Sequence, residues 1–256
     1  MAIKFFIFIL GLLSCNLDND NDLLKAVKAT AVFPNFDLPT GKLIYYDTST
    51  VLIFYTKDLV VYKLHYILDS VTTRSYRDSI VTDRYVSVKR DHYFIYQKGK
   101  DYGYDYDPYK SFMGRKVPLD MIFKNEWCVQ NKLYPIFGDV NIVNLISSYK
   151  SKNADTLKES YFIKSKTYSN QSASVFLEYC ASLKDIEFSL SRELDSVRNS
   201  KLSKIRIAND PMKINDTLTF DKYETYYEIN RLEQFDQEEV LMYIKQFEID
   251  RLKEKE

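Results

Sequence analysis

Apolar and polar residues alternate along much of this chain, the period of a strand that lays one side on a core. Residues 42–47, 51–56 and 59–72 are rich in Val, Ile, Leu and Tyr and are separated by the polar breaks 48–50 and 57–58. That pattern predicts an antiparallel meander. In its third member, Tyr62, Leu64, Tyr66 and Leu68 lie opposite Val61, Lys63, His65 and Ile67, so the first set is expected to face the core. A hairpin is expected at 84–88 and 93–97, with 89–92 as its turn. Residues 101–110, DYGYDYDPYK, combine Gly103, Pro108 and three aspartates, which predicts a loop and excludes a helix or an interior strand. A short helix is expected over 118–124, another short element over 141–149, and strand character again over 156–166 through Tyr161, Phe162 and Ile163.

Further on, Ile186, Phe188 and Leu190 alternate as in a strand, while Ile186, Leu190, Leu194 and Val197 recur at helical spacing. The reading is a strand up to Leu190, a helix over 191–199, and a strand over 204–207 before the turn Asn209-Asp210-Pro211. Asp221 precedes Glu224 by three residues, and Asp236 precedes Glu239 by three, each like the opening of a capped helix. Two C-terminal helices follow from this. The second carries the apolar stripe Val240, Leu241, Ile244 and Phe247, which needs a partner. The expected fold class is α+β, an antiparallel β-rich domain with short helices over 42–210, closed by a helical pair within 211–256.

The first fifteen residues, MAIKFFIFILGLLSC, place Lys4 before an apolar run over 5–13 and end on Ser14 and Cys15. Nine residues at about 1.5 Å each cross less than half of a hydrocarbon core roughly 30 Å thick, so the run reads as a cleaved secretory signal and not a spanning anchor. Leu12, Leu13, Ser14 and Cys15 resemble the lipobox of bacterial lipoproteins. The resemblance implies removal of residues 1–14, three acyl chains on Cys15, and a chain held in the cell envelope, at the outer membrane. Each buried acyl methylene contributes about 0.8 kcal/mol, and more than one chain is needed for lasting attachment. Residues 15–41 read as tether and transition: Asp and Asn alternate over 18–22, and Pro34, Pro39 and Gly41 interrupt regular structure. The acidic stretch also resembles the surface-export signal of Bacteroidota lipoproteins.

Charge narrows the partners. Lys and Arg total 36, as do Asp and Glu; loss of residues 1–14 removes only Lys4 and leaves 35 against 36. With no clustered basic face, nucleic acid is not an expected partner. Twenty-two tyrosines and 16 phenylalanines against 6 glycines suit half-buried strands. The six glycines form no GxGxxG, P-loop or GxSxG element. Cys128 and Cys180 could oxidise to a disulfide in an exported compartment, although Cys180 follows the apolar run 175–179, where a free thiol packs as a small hydrophobe. His65 and His92 are the only histidines, read as a polar-face strand residue and a turn residue, and no metal or cofactor is expected.

The strongest local candidate for ligand binding is the 101–110 segment. Tyr102, Tyr104, Tyr106 and Tyr109 offer flat apolar faces beside Asp101, Asp105 and Asp107, a combination suited to sugar rings and their hydroxyls. The same carboxylates are oxygen ligands of the type Ca²⁺ takes, but their spacing is not that of an EF-hand. The alternative is a solvated loop whose tyrosines pack on the sheet. Five Asp-Ser/Thr-aliphatic triplets, with acceptor hydroxyls at Ser70, Ser79, Thr156, Ser196 and Thr217, resemble the O-glycosylation signal of exported Bacteroidota proteins. The expected role is non-enzymatic binding by a lipid-anchored envelope protein, with an envelope protein or a glycan as partner. Two rivals are an envelope glycan hydrolase with paired carboxylates and a structural subunit of an envelope assembly.

Overall fold

The computed structural model describes residues 24–76, 79–107, 113–125, 140–150, 155–165 and 172–253, with side chains for 24–65, 90–107, 113–122, 144–150, 155–164 and 172–253. Among the described residues are β1 (Lys25–Asp37), β2 (Lys42–Tyr55), β3 (Leu59–Tyr76), β4 (Ser79–Gln97), β5 (Tyr102–Tyr106), β6 (Arg115–Pro118) and α1 (Leu119–Asn125). They continue as β7 (Val140–Lys150), β8 (Thr156–Ser165), β9 (Ser172–Cys180), a 3-10 turn (Ala181–Leu183), α2 (Arg192–Arg198) and β10 (Lys201–Asn209). A short ribbon of β11 (Met212–Lys213) and β12 (Thr219–Phe220) precedes β13 (Tyr223–Arg231) and α3 (Gln237–Lys253). Eleven strands make one sheet in the order β6-β5-β4-β3-β2-β1-β13-β10-β9-β8-β7, every neighbouring pair antiparallel. The fold is therefore α+β, a β-rich domain closed by a helix.

Several elements differ from the sequence reading, each for a local reason. Residues 25–37, expected to be transitional, form β1 at the middle of the sheet, between β2 and β13. Its buried positions are Ala26, Val27, Ala29 and Ala31, small side chains that fit a crowded centre yet carry little strand signal. Pro34 lies past Val32, where pairing with β13 stops, so its missing N–H breaks no ladder on that side. The sheet thus crosses both expected boundaries, at 41 and at 210. The hydroxyl-rich break 48–50 continues β2 opposite Val32, Ala31 and Thr30. The expected turn at 89–92 lies inside β4, where these residues pair with Ile67 to Leu64 of β3. Residues 102–106 are an interior strand between β4 and β6, and Pro108 falls after the strand ends. Residues 186–190 lack a ladder, although Ile186 and Leu190 are buried.

At the C-terminal end one helix replaces the expected pair. Residues 223–231 form β13, and the Asp221 carboxylate, expected to cap a helix, instead accepts a hydrogen bond from Leu43 N at 3.1 Å. Tyr223, Thr225, Tyr227 and Ile229 alternate with polar neighbours, and β-prone Tyr and Thr favour the extended form. The other expected helices form. Ser191 Oγ accepts from Leu194 N at the start of α2, and Asn199 closes it in the left-handed conformation at φ 47°. Asp236 Oδ1 accepts from Glu239 N at 3.0 Å at the start of α3.

The sheet is covered unevenly. Its first face carries Val27, Ile53, Tyr62, Phe94, Leu177 and Ile229, and packs against Leu119 of α1 together with Ile186, Leu190 and Leu194. The second face carries Phe54, Val61, Tyr93, Ile95, Tyr104 and Tyr106 over β2 to β5, where α3 adds Val240, Tyr243 and Phe247. Burying each such side chain contributes about 1.5–3 kcal/mol. Both sides of β3 are therefore apolar here, Tyr62 and Leu64 on one core and Val61 on the other. The side chains of Tyr66 and Leu68 lie outside the described residues, as do Cys15, Cys128 and Tyr109.

Candidate functional site

Over β7, β8, β9, β10 and β13 the second face meets no helix among the described residues, and the pleat presents a patterned surface there. Register fixes two rows that run across the strands. One is Lys158, Glu178, Lys204 and Glu228, each opposite the next, with Tyr149 of β7 opposite Lys158. The other is Ser147, Ser160, Phe176, Arg206 and Tyr226. All of these but Glu228 line an open groove of about 510 Å³. The alternate residues Val175, Leu177, Ile205 and Tyr227 point to the opposite core, which anchors the floor.

Charges in the groove are paired. Lys158 Nζ lies 3.0 Å from Glu178, Lys204 Nζ 3.3 Å from Glu228, and Arg206 Nη1 3.9 Å from Glu224. Such exposed pairs are each worth about 0–1 kcal/mol. Rings and cations also meet: the Arg206 guanidinium sits 4.1 Å from the Phe176 ring centre and Lys204 Nζ 5.1 Å from that of Tyr226. Each contact contributes about 0.5–1 kcal/mol at exposed sites, little enough for a ligand to displace. Tyr226 OH donates to Glu228 at 2.6 Å. Burial, then that hydrogen bond, raises the Tyr226 phenol, and Lys204 is held protonated by its contact with Tyr226 against the opposing effect of burial. Ser147 and Ser160 hydroxyls are 2.7 Å apart, and Tyr149 beside them is 62% exposed. Aromatic rings, hydroxyls, ammonium and guanidinium donors and carboxylate acceptors thus line one surface.

The segment singled out from sequence is divided by strand alternation. Tyr104 and Tyr106 turn inward under α3, the first edge-on to Phe247 at 5.5 Å and the second to Tyr243 at 5.8 Å. Tyr106 OH donates to Asp250 at 3.3 Å, and burial followed by the Asp250 charge pushes its phenol up. Tyr102 is half-buried beneath Lys116 Nζ, 4.0 Å from its ring centre. Asp105 points to the other face, 2.9 Å from His92 and 3.0 Å from Arg115. Burial raises its carboxyl, but the hydrogen bonds and charges of His92 and Arg115 outweigh this and leave it lowered. Asp101 is exposed and its carbonyl accepts from Leu119 N at 2.8 Å; Asp107 is half-buried. These residues do not form one surface.

His92, read as a turn residue, is a buried strand residue. His65 Nδ1 lies 2.5 Å from Asp91, and Lys63 Nζ bridges Asp91 at 3.6 Å and Glu239 at 2.7 Å, which ties β3 and β4 to the first turn of α3. Cys180 is half-buried, with its sulfur 3.1 Å from Ser182 Oγ. Of the triplet hydroxyls, Ser196 and Thr217 are exposed and Thr156 is half-buried at the start of β8; the Ser70 and Ser79 side chains lie outside the described residues. Among the described residues no three His, Cys, Asp or Glu are placed to share a metal ion.

The sequence reading missed Tyr149, Phe176, Arg206 and Tyr226. Their signal is present as alternation, since Ser174, Phe176 and Glu178 interleave with Val175 and Leu177, but which strands lie side by side is not written in any one of them. Neither a protein-family model, nor a curated protein sequence, nor a solved structure matches this chain.

Proposed function

We propose that this is a lipid-anchored cell-envelope protein whose role is binding, without catalysis, through the uncovered face of β7 to β10 and β13. The observation that carries the binding part is the groove itself, a row of rings and paired charges open to solvent on a sheet that is elsewhere packed in two places, against α1 and α2 on one face and against α3 on the other. Exposed aromatic and arginine side chains on a rigid strand scaffold are the composition of recognition surfaces. The anchoring part rests on the resemblance of residues 12–15 to a lipobox. Radiolabelled palmitate is expected on the native chain and absent from Cys15→Ser; label retained in that variant overturns the anchor. Envelope membranes probed with the native chain and with Phe176→Ala should give a retained component that the variant loses, and equal retention overturns the groove as the binding surface.

One observation favours a second reading, a structural subunit of an envelope assembly. The outer side of α3 exposes Leu241, Met242, Ile249 and Leu252 at 44–57% beside Lys245, opposite the residues that grip the sheet. Contiguous exposed apolar side chains of this kind mark contact surfaces. Leu241→Lys with Ile249→Lys should then release the chain from a detergent-stable complex, and an unchanged complex overturns this reading.

A further inference from the structure

We infer that the open sheet face takes an extended, uncharged polysaccharide laid across the strands. The inference rests on the binding reading above and adds the chemistry of what is bound. Tyr149, Phe176 and Tyr226 stand on β7, β9 and β13, alternate strands of the sheet order; Phe176 and Tyr226 share a row two interstrand steps apart, roughly 10 Å, and Tyr149 stands the same two steps beyond Phe176 but one row over, two residues along its strand. That interval accommodates linked sugar rings. The strands between them, β8 and β10, carry Lys158, Ser160, Lys204 and Arg206, whose hydrogens are donors to sugar hydroxyls, and Glu178 and Glu228 are acceptors beside them.

Charge decides among ligand classes. The three cations that line the groove, Lys158, Lys204 and Arg206, each have a carboxylate beside them, so a polyanion there would meet Glu178, Glu224 and Glu228 as readily as the cations, and a polycation the reverse. Nucleic acid on a stacking platform needs an unopposed basic track, which these pairs remove. An extended peptide adds to a sheet through main-chain hydrogen bonds at an edge, whereas the backbone under this face is already spent on neighbouring strands. A hydroxylated, uncharged chain uses donors and acceptors alike and lays its apolar ring faces on the aromatics.

The test is affinity electrophoresis of the full chain in detergent, through gels holding dextran, mannan, a neutral β-glucan, a neutral galactan, or heparin. At least one neutral polymer should retard it, unchanged by high salt, and heparin should not. Phe176→Ala and Tyr226→Ala should each weaken retardation about tenfold. Tyr149→Ala removes a side chain that is 62% exposed, so its expected loss of binding is not a loss of folding. Lys184→Gln, at an exposed position beyond the 3-10 turn, should change nothing. Retardation by heparin alone, or by no neutral polymer while an envelope component is still captured through Phe176, overturns the ligand class and leaves the binding reading standing. If face variants alter no capture of any kind, the binding reading itself falls.

Discussion

Asp195 lies within α2, yet its carboxylate serves groups outside that helix. It accepts from Ser189 Oγ at 2.7 Å and from Leu202 N at 2.6 Å, and pairs with Lys201 Nζ at 3.0 Å. Removing it strands a backbone N–H and a buried ammonium, so Asp195→Ala is expected to cost about 2–4 kcal/mol in urea unfolding, whereas exposed Ser196→Ala should stay within about 0.5 kcal/mol. From sequence, Asp195 is merely the first residue of a triplet; its role comes from the chain turning back at Asn199. Asp105 and Asp185 set the acid limit. Arg231, and then Lys25 against the opposing effect of burial, lowers Asp185, and Asp105 is lowered as described. A carboxylate lowered on folding binds fewer protons in the folded state, so its contribution is complete above the unfolded value, about 3.9, and is lost as pH falls through the folded one. Melting temperature should hold between about pH 7 and 5 and drop below about 4. Asp105→Asn should flatten that drop more than Asp185→Asn, because the Asp185 side chain is 42% exposed and screened by solvent.

Elements were legible where a local signal decides them. α2 and α3 begin at Ser191 and Asp236, whose side-chain oxygens do capping work readable three residues ahead. The Asp221-to-Glu224 spacing imitates the same signal, but cross-strand partners on β1 and β10 prevail over it, and these are far away in sequence. The stripe read on α3 holds at Val240, Ile244 and Phe247 and fails at Leu241, for a related reason. The contact face is Val240, Tyr243, Phe247 and Asp250, with Leu241 outside, because Tyr243 stacks on Tyr93 at 4.0 Å and Asp250 meets Tyr106 and Gly114 N. Phe247→Ala should therefore destabilise by about 3–5 kcal/mol, and Leu241→Ala by less than about 0.5 kcal/mol, in paired denaturant titrations.

For the molecule as a whole, the β-rich class and the closing helix could be read from composition and alternation. The strand order could not, since it joins residues such as Val27 and Arg231 across nearly the full chain. The groove inherits this difficulty: each of its strands shows a half-apolar pattern, and only their adjacency produces a surface. Pairings this distant belong to slow-folding topologies, with relaxation in milliseconds to seconds. β1 is the decisive piece. Deleting residues 25–37 should abolish the cooperative urea transition and the near-ultraviolet circular dichroism, whereas a free tether would be dispensable and leave both intact.

The position of β1 also determines how the protein would bear a mechanical load. The chain passes at Leu24 directly into a strand flanked on both sides, β2 along its length and β13 over its first half. A pull on the chain ahead of that point, the load that the proposed lipid anchor would transmit, would act along the strand and stretch both ladders in shear together, with no edge to peel first. The resistance would come from the centre of the fold, and the groove strands β7 to β10 would keep their shape until that centre gave way.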